Sequence, residues 1–511
     1  MSSETIGSLV RTQAALGDRP LLVVDQNRIT YAEAEMRSRR IASALLHAGA
    51  GRDGHVAMLF GNGPDFAACF LAITRIGAIA MPLSTMSTAL ELHGLLRGAD
   101  AEYLISADTY RGRDLHELVG EAIDAEPAGE LLLPALPALR RIWFGIAELE
   151  ATGNADDARV ATAEAQVMPA DPMVIVHTSG STSAPKGVVH SHGQVIRNMR
   201  RQNALRNYTA EDRLFSNSPF FWIGGLAYSF LATLIAGARL ICSSAEPKAM
   251  LDLLEAEQPT MCNGVASTML GAARDPSFPK RNLARLRRGN LYPIMPDDVR
   301  PADPELRYNL LGMTETGSVS LYGSSEVDLP EHKRGSFGSP VEGIATRIVD
   351  PETNQDSTEG ELWVRGPNVM QSYYGRERWE CFDAEGWFHT GDMMRIDQDG
   401  DFFFKGRGGD IIRTAGAQVS PREVEGAVSE VTGGRMSIVI GVPDPERGQA
   451  VTAVLVGDAP FDADALKAAL KQRLSPYKIP RRFVAMTEKE LPTLSSGKID
   501  LKKLAELIRE R

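Results

Sequence analysis

The chain has 511 residues, enough for two to four folding units and for a core that needs no covalent staple. Hydrophobic residues make up 43% and charged residues 24%, a globular balance that excludes a disordered chain. Fifty-five Lys+Arg against 66 Asp+Glu give a net charge of −11, which excludes a general nucleic-acid or anionic-membrane surface and requires any polyanion to be held by a local site.

The N-terminus lacks a basic segment followed by an apolar one, so no signal peptide is expected. Residues 39–47 have helical spacing, 56–60 read as an apolar strand closed by the turn Gly61-Asn-Gly-Pro64, 65–76 are again helical and 78–81 strand-like. That alternation predicts a parallel sheet covered by helices. Residues 150–170 are polar and Ala-rich and read as a surface linker. The apolar run 226–238 is broken by Ser and Thr and ends at Arg239. It is short of the ~20 residues a spanning helix needs and reads as a buried core helix. From about residue 340 the pattern is strand-rich: Gly360-Glu-Leu-Trp-Val-Arg365 alternates with period two, and 393–396 and 402–405 flank the hairpin turn Asp397-Gln-Asp-Gly400. The Gly-rich join Gly406-Arg-Gly-Gly409 then divides the chain into domains 1–406 and 407–511. Ser420-Pro-Arg-Glu423 predicts a capping box with Pro at the first helical position, followed by strands at 436–442 and 450–456 and helices at 462–474 and 501–509. Cys69, Cys242, Cys262 and Cys381 are far apart with no CxxC, which excludes a zinc ribbon or disulfide scaffold and reads as buried or inert thiols in a reducing cytoplasm.

The strongest chemical signal is Thr178-Ser-Gly-Ser-Thr-Ser-Ala-Pro-Lys-Gly187, with five hydroxyls, two glycines and one lysine in ten residues between apolar strands. Backbone N–H groups, hydroxyls and an ammonium together suit a polyphosphate, although composition alone also allows a Ser-rich surface hairpin. The loop is not a Walker A motif, because Lys186 is followed by Gly187 and a strand. His190 and His192 form an HxH pair with no further ligand nearby and read as scaffold for the loop. Taken alone, Glu315, Asp392 and Arg407 are ordinary turn residues, and Lys498 belongs to a basic tail with Lys502 and Lys503.

Taken together, these segments resemble the adenylate-forming superfamily of acyl-CoA synthetases, peptide-synthetase adenylation domains and beetle luciferases. After the phosphate loop, Pro219-Phe-Phe-Trp-Ile-Gly-Gly225 resembles the acyl-pocket motif and Gly312-Met-Thr-Glu-Thr316 the Tyr-Gly-x-Thr-Glu motif. Gly360-Glu-Leu-Trp-Val-Arg-Gly366 follows, then Gly386-Trp-Phe-His-Thr-Gly-Asp392, similar to the ribose motif. Gly406-Arg407, Gly416 and Ser420-Pro-Arg-Glu423 resemble the hinge and the start of the small domain, and Pro492-Thr-Leu-Ser-Ser-Gly-Lys-Ile499 the catalytic-lysine loop. The likeness implies an α/β fold: a large N-terminal domain of parallel β-sheets covered by helices plus a β-barrel-like subdomain, and a small mobile α+β C-terminal domain.

It also implies ligation of a hydrophobic carboxylic acid to CoA with ATP and Mg2+, through an acyl-adenylate. A carboxylate is a poor electrophile, because its leaving group would be oxide. Attack on the α-phosphate of ATP makes AMP the leaving group instead. Charge then builds on phosphate oxygens, so the reaction needs fixed positive charge and a metal more than an acid–base pair. The resemblance assigns Thr178, Ser179, Gly180, Ser181, Thr182 and Lys186 to the β- and γ-phosphates, Glu315 to Mg2+, and Gly312, Met313 and Thr314 to the nucleotide, with Thr314 at the α-phosphate. It assigns Asp392 and Arg407 to the ribose, and Lys498 to the attacking carboxylate and α-phosphate. Trp222, Ile223, Gly224, Gly225 and Leu311 would line the acyl pocket, with Val265 and Ala266 as further candidates, Gly409 as the hinge and Gly416 on the CoA path. Three positions depart from the pattern: Ser183 stands for Gly, Leu311 for the Tyr that stacks on adenine, and Gly409 for Asp or Lys. The expected Gly-Gly-Ala segment is replaced by Gly289-Asn-Leu-Tyr292, whose Tyr292 is a candidate for the missing ring. A carrier-protein-loading enzyme, a luciferase-like oxygenase and a non-catalytic nucleotide-binding relative are the alternatives. The expected partners are a carboxylic acid, ATP and CoA, with no nucleic acid and no membrane span. A homodimer is compatible with the family likeness.

Overall fold

Thr30 opens the first long helix, Tyr31–His47, with a reciprocal cap in which its hydroxyl accepts from the Glu33 amide and the Glu33 carboxylate accepts from its own. Pro64 starts the second, Pro64–Arg75, where a missing N–H costs nothing. Between and after these helices come the strands His55–Leu59, Ile79–Pro82, Tyr103–Ser106 and Arg141–Phe144, continuous apolar runs of the kind that fill a parallel sheet. The computed structural model describes residues 4–178, 186–324, 326–407, 412–414, 417–445, 447–471, 473–474, 478–494 and 498–510. Contacts divide the chain into two units, Met1–Ala345 with Arg365–Gly386 and Thr346–Val364 with Trp387–Arg511. The four-stranded sheet of the second unit therefore separates this division from the 406/407 boundary expected from the sequence.

The first unit holds two six-stranded sheets. One has the order Lys186–Ser191, Pro172–Thr178, Ile79–Pro82, His55–Leu59, Tyr103–Ser106, Arg141–Phe144, parallel except for its first pair. The other has the order Arg288–Gly289, Met261–Asn263, Arg213–Ser216, Arg239–Cys242, Pro20–Val24, Asn27–Thr30, parallel except for its last pair. One buried cluster takes side chains from both sheets and from the helix Pro64–Arg75, which is buried from Phe66 onward. Phe66, Phe70, Phe220 and Phe230 form its aromatic centre, with Phe66 and Phe220 at 5.2 Å edge to face.

The stretch read as a linker is instead largely helical. Asp157 caps Ala158–Gln166, and Glu164 on that helix is 4% exposed. The Ala-rich composition favours helix, and Glu164 supplies the counter-charge to the buried Arg75 (3.3 Å) and to Arg11. The apolar run 226–238 does enter the core, but it begins as a π-type helix, Gly224–Leu231, before continuing as Ala232–Ala236. Burial pushes the thiols of Cys242 and Cys262 up to about 12, which leaves them inert.

In the second unit, Ala345–Val349, Glu359–Arg365, Phe388–Ile396 and Phe402–Arg407 lie in that order in one sheet, the last three paired antiparallel. The Asp397 turn forms as expected, with Gly400 at φ 86°. The other sheet joins Ser437–Asp444 and Gly448–Val456 to Arg482–Met486 and is flanked by Pro421–Val431, Ala463–Leu470 and Leu501–Glu510. Helix Pro421–Val431 starts at Ser420 with Pro at its first position, but the capping box does not form. The Ser420 hydroxyl donates to the Lys405 carbonyl, and Glu423 pairs with Lys478 at 2.6 Å. No helix among the described residues is long and apolar enough to cross a membrane.

Candidate active site

Three stretches far apart in sequence meet at the antiparallel edge of the first sheet. Thr178 ends one strand opposite Lys186, which begins the next, and the Thr178 hydroxyl lies 3.4 Å from the Lys186 carbonyl. Residues 371–374 run alongside that strand: Val189 N–H donates to Ser372 O (3.1 Å), Gln371 N–H to Val189 O (3.1 Å) and Tyr374 N–H to Gly187 O (2.7 Å). A Cβ on Gly187 would lie 2.7 Å from the Ile175 side chain on the neighbouring strand, which favours glycine there. The same segment is tied to the Thr314–Thr316 turn by Met370 N–H donating to Glu315 O (2.7 Å).

Tyr373 joins the two charged side chains at this edge. Its hydroxyl donates to Glu315 Oε1 (2.8 Å), while the Lys186 Nζ lies 5.0 Å from its ring centroid. Arg376 lies 5.9 Å from the same ring. Burial, and then the adjoining carboxylate, hold the Tyr373 phenol far above its ordinary value, so it is a neutral donor.

The turn that carries Thr314 and Glu315 is fixed from beneath. His190 is fully buried and burial lowers its pKa, so it is neutral, and its Nε2–H donates to Thr314 O (2.7 Å). The next helix, His192–Leu205, presents Gln194, Asn198 and Gln202 four residues apart. They donate to Asn368 O (2.9 Å), Thr316 O (3.2 Å) and Val319 O (3.0 Å), respectively. His192 accepts from Ile6 N–H (3.2 Å), so both histidines act as scaffold. The polar i, i+4 stripe was visible in the sequence, but its buried partners were not.

The acyl-motif residues divide by role. Phe220 belongs to the aromatic core, and Asn62 holds the loop by donating to Ser218 O (2.9 Å) and accepting from Phe220 N–H (2.8 Å). Gly225 is needed for packing, since a Cβ would lie 2.0 Å from Pro219 O, whereas one on Gly224 would meet nothing within 4 Å. Trp222 and Ile223 are half-buried beside it. Two asparagines that the motif reading missed hold residues 264 and 265. Asn290 pairs with both backbone groups of Gly264 (3.0 Å each), and Asn217 with those of Val265 (2.9 and 3.0 Å). Val265 is left 43% exposed. Gly289 has φ 126°, and a Cβ there would lie 1.7 Å from Cys262 O. Tyr292 packs against the satellite core around Phe215 and Leu291. Leu311 is half-buried and Met313 buried on the strand Leu311–Met313, with Gly312 exposed between them.

In the second unit, Asp392 and Arg407 face each other across neighbouring strands, with Arg407 Nε donating to Asp392 Oδ1 (2.8 Å). The arginine side chain is 60% exposed and the carboxylate 4%. The turn before Asp392 is braced by Glu361, which accepts from Gly391 N–H (2.8 Å) and from Trp363 Nε1–H (3.1 Å). Lys498 is exposed, and its carbonyl accepts from Leu494 N–H (2.8 Å). Ser179, Gly180, Ser181, Thr182, Ser183, Gly409 and Gly416 lie outside the described residues.

Among the described residues, no group of three or more His, Cys, Asp or Glu side chains could hold a metal ion alone. Glu315 offers one carboxylate, with one oxygen engaged by Tyr373. That donor set fits Mg2+, which takes one or two carboxylates and fills its shell with substrate phosphates and water.

The AMP-binding enzyme family matches residues 9–374, and the AMP-binding enzyme C-terminal domain matches 423–498. A feruloyl-CoA synthase of Amycolatopsis sp is 32% identical over 492 residues, 92% of each chain. A 3-hydroxybenzoate–CoA ligase of Aromatoleum sp. (strain CIB) is 27% identical over 97% of this chain and 94% of its own. The crystal structure of the anthranilate CoA ligase AuaEII with anthranoyl-AMP superposes with a TM-score of 0.83 at 21% identity, over 99% and 97% of the two chains, a likeness of fold. The chain therefore belongs to the AMP-binding enzyme family, within the adenylate-forming superfamily, and is most like an acyl-CoA ligase.

Proposed function

We propose that this AMP-forming CoA ligase, which uses ATP, Mg2+ and CoA, activates a hydrophobic carboxylic acid, with aromatic acids as the leading class. The observation that carries this reading is the nearness of Lys186 and Glu315 to one Tyr373 side chain. An ammonium beside a hard carboxylate oxygen is what a metal-bound triphosphate needs. Lys186 and Thr178, with Ser179, Gly180, Ser181 and Thr182, hold the β- and γ-phosphates and then the departing pyrophosphate. Thr314 contacts the α-phosphate beside Gly312 and Met313. Glu315 holds Mg2+, which when bound neutralises charge on the phosphate oxygens.

Asp392 accepts from the ribose hydroxyls, an acceptor-only role that an ionised carboxylate fills, and Arg407 braces it. Lys498 contacts the attacking carboxylate and the α-phosphate and stabilises the charge that develops there. The acid lies along Trp222, Ile223, Gly224, Gly225 and Leu311. Support for an aromatic acid comes from the open space at Gly224 beside a half-buried Trp222, and from the acids named for the two CoA ligases above. With a small domain that starts at 407, Gly409 serves as the hinge and Gly416 as part of the CoA path for thioester formation.

The test is pyrophosphate release over a library of carboxylic acids, with and without CoA. The expected result is AMP and pyrophosphate with a subset of aromatic acids, and thioester only with CoA. No AMP with any acid would refute the activity, and turnover confined to charged or amino acids would refute the substrate class.

A further inference from the structure

We infer that Tyr373 is a positioning residue that sets the phosphate-binding ammonium of Lys186 and the metal-binding carboxylate of Glu315 against each other, an inference that rests on the triphosphate reading of those two residues. The two side chains carry opposite charges at one sheet edge. A direct ion pair would neutralise both and would have to be broken to admit substrate. Tyr373 gives each a different partner: the ring face for the ammonium at 5.0 Å and the hydroxyl for one carboxylate oxygen at 2.8 Å. A cation over a ring is held weakly enough to be given up to a phosphate. A carboxylate has about four lone-pair sites, so Tyr373 orients Glu315 and leaves its other oxygen for a metal.

The tyrosine is itself held at a fixed place. Its neighbours Ser372 and Tyr374 hydrogen-bond to the strand that begins at Lys186, and Met370 hydrogen-bonds to the Glu315 backbone. Tyr373 also forms an isolated antiparallel bridge with Val188 and is 7% exposed. The backbone that carries the ring is thus tied to both groups the ring aligns. A residue that only filled the core would need neither the hydroxyl nor this register.

Tyr373→Phe keeps the ring and removes the hydroxyl, and Tyr373→Leu removes both. The probes are Mn2+, followed by its paramagnetic resonance, and the non-reacting analogue α,β-methylene-ATP, followed by titration. Tyr373→Phe is expected to weaken Mn2+ binding to the protein–analogue complex by about three- to tenfold, with metal-free analogue affinity and the KM for acid unchanged. Tyr373→Leu is expected to weaken metal-free analogue binding as well. Parent-like metal and analogue binding in both variants would overturn the inference. So would a uniform loss of acid, metal and nucleotide binding in Tyr373→Phe together with a lower Tm, the mark of a core residue. Glu315→Gln and Lys186→Ala are run alongside. If they bind metal and analogue like the parent, the triphosphate reading fails and takes the inference with it. If they lose binding while the Tyr373 variants do not, only the inference fails.

Discussion

Lys186 is the first residue of a sheet strand, with a tyrosine ring against its ammonium and backbone hydrogen bonds to residues 371–374 along its strand. Lys498 is exposed, and its own carbonyl accepts from Leu494 N–H. The two lysines are chemically identical and differ in exposure, the first half-buried and the second exposed. The first suits a charge that must be in place before substrate arrives, because preorganised charge costs no reorganisation during reaction. The second suits a charge supplied for one step. Asp392 lies between these extremes, since its carboxylate is buried while the paired arginine is exposed. The proposed activity thus combines one rigid and one deliverable source of positive charge.

The largest expected effect comes from the deliverable charge. Lys498→Ala should lower acid-dependent pyrophosphate exchange by roughly 10²–10³ while ATP binding and Tm stay unchanged. Normal exchange would remove Lys498 from the proposal. The rigid side is sharpened by the paired glycines of the acyl motif. Gly225→Ala puts a Cβ 2.0 Å from Pro219 O and should destabilise by about 1–3 kcal/mol, read as a lower Tm. Gly224→Ala, with nothing within 4 Å, should leave Tm unchanged and shift the preference among acids. Equal effects on Tm would erase the distinction between the two positions.

Asp392→Asn keeps one acceptor and removes the charge paired with Arg407, so the KM for ATP should rise about tenfold with little change in the KM for acid. A smaller effect tests the scaffold by pH. Burial lowers His192 to about 4, against about 6.5 when unfolded. Below 6.5 the unfolded chain binds more protons than the native one, so stability falls as pH drops from 6.5 towards 4. The loss from this group reaches about 1 kcal/mol by pH 5.5, and it should disappear in His192→Asn, whose side-chain oxygen can still accept from Ile6 N–H. An unchanged pH profile in that variant would assign the acid lability elsewhere.

The strand–helix alternation, the Asp397 turn and the helix start at Pro421 are legible because each depends on a few adjacent residues, whereas Pro64, read as the end of a turn, is the first residue of its helix. In the stretch 150–170 the Ala-rich composition favours helix locally, but the burial of Glu164 depends on Arg75, 89 residues earlier in sequence. The Ser420 cap failed for a similar reason: the hydroxyl found the Lys405 carbonyl first. In the candidate site, Lys186, Glu315, Asp392, Arg407 and Lys498 could be named from motifs. Tyr373, Asn217, Asn290 and the Gln194–Asn198–Gln202 stripe could not, because their roles depend on charged groups, carbonyls and amides brought to them by folding.

Residue order alone determined the classes of chemistry present: a hydroxyl- and lysine-bearing loop, a Thr-Glu turn, an aspartate in a ribose-like motif and a tail lysine. Those depend on covalent neighbours, and covalent neighbours are written in the chain. Tertiary structure alone decided which groups face one another: Lys186 and Glu315 on one phenol, Asp392 on Arg407, and His190 under Thr314. Such pairings follow from strand register and core packing, which sum many weak long-range contacts and leave no local mark in the sequence.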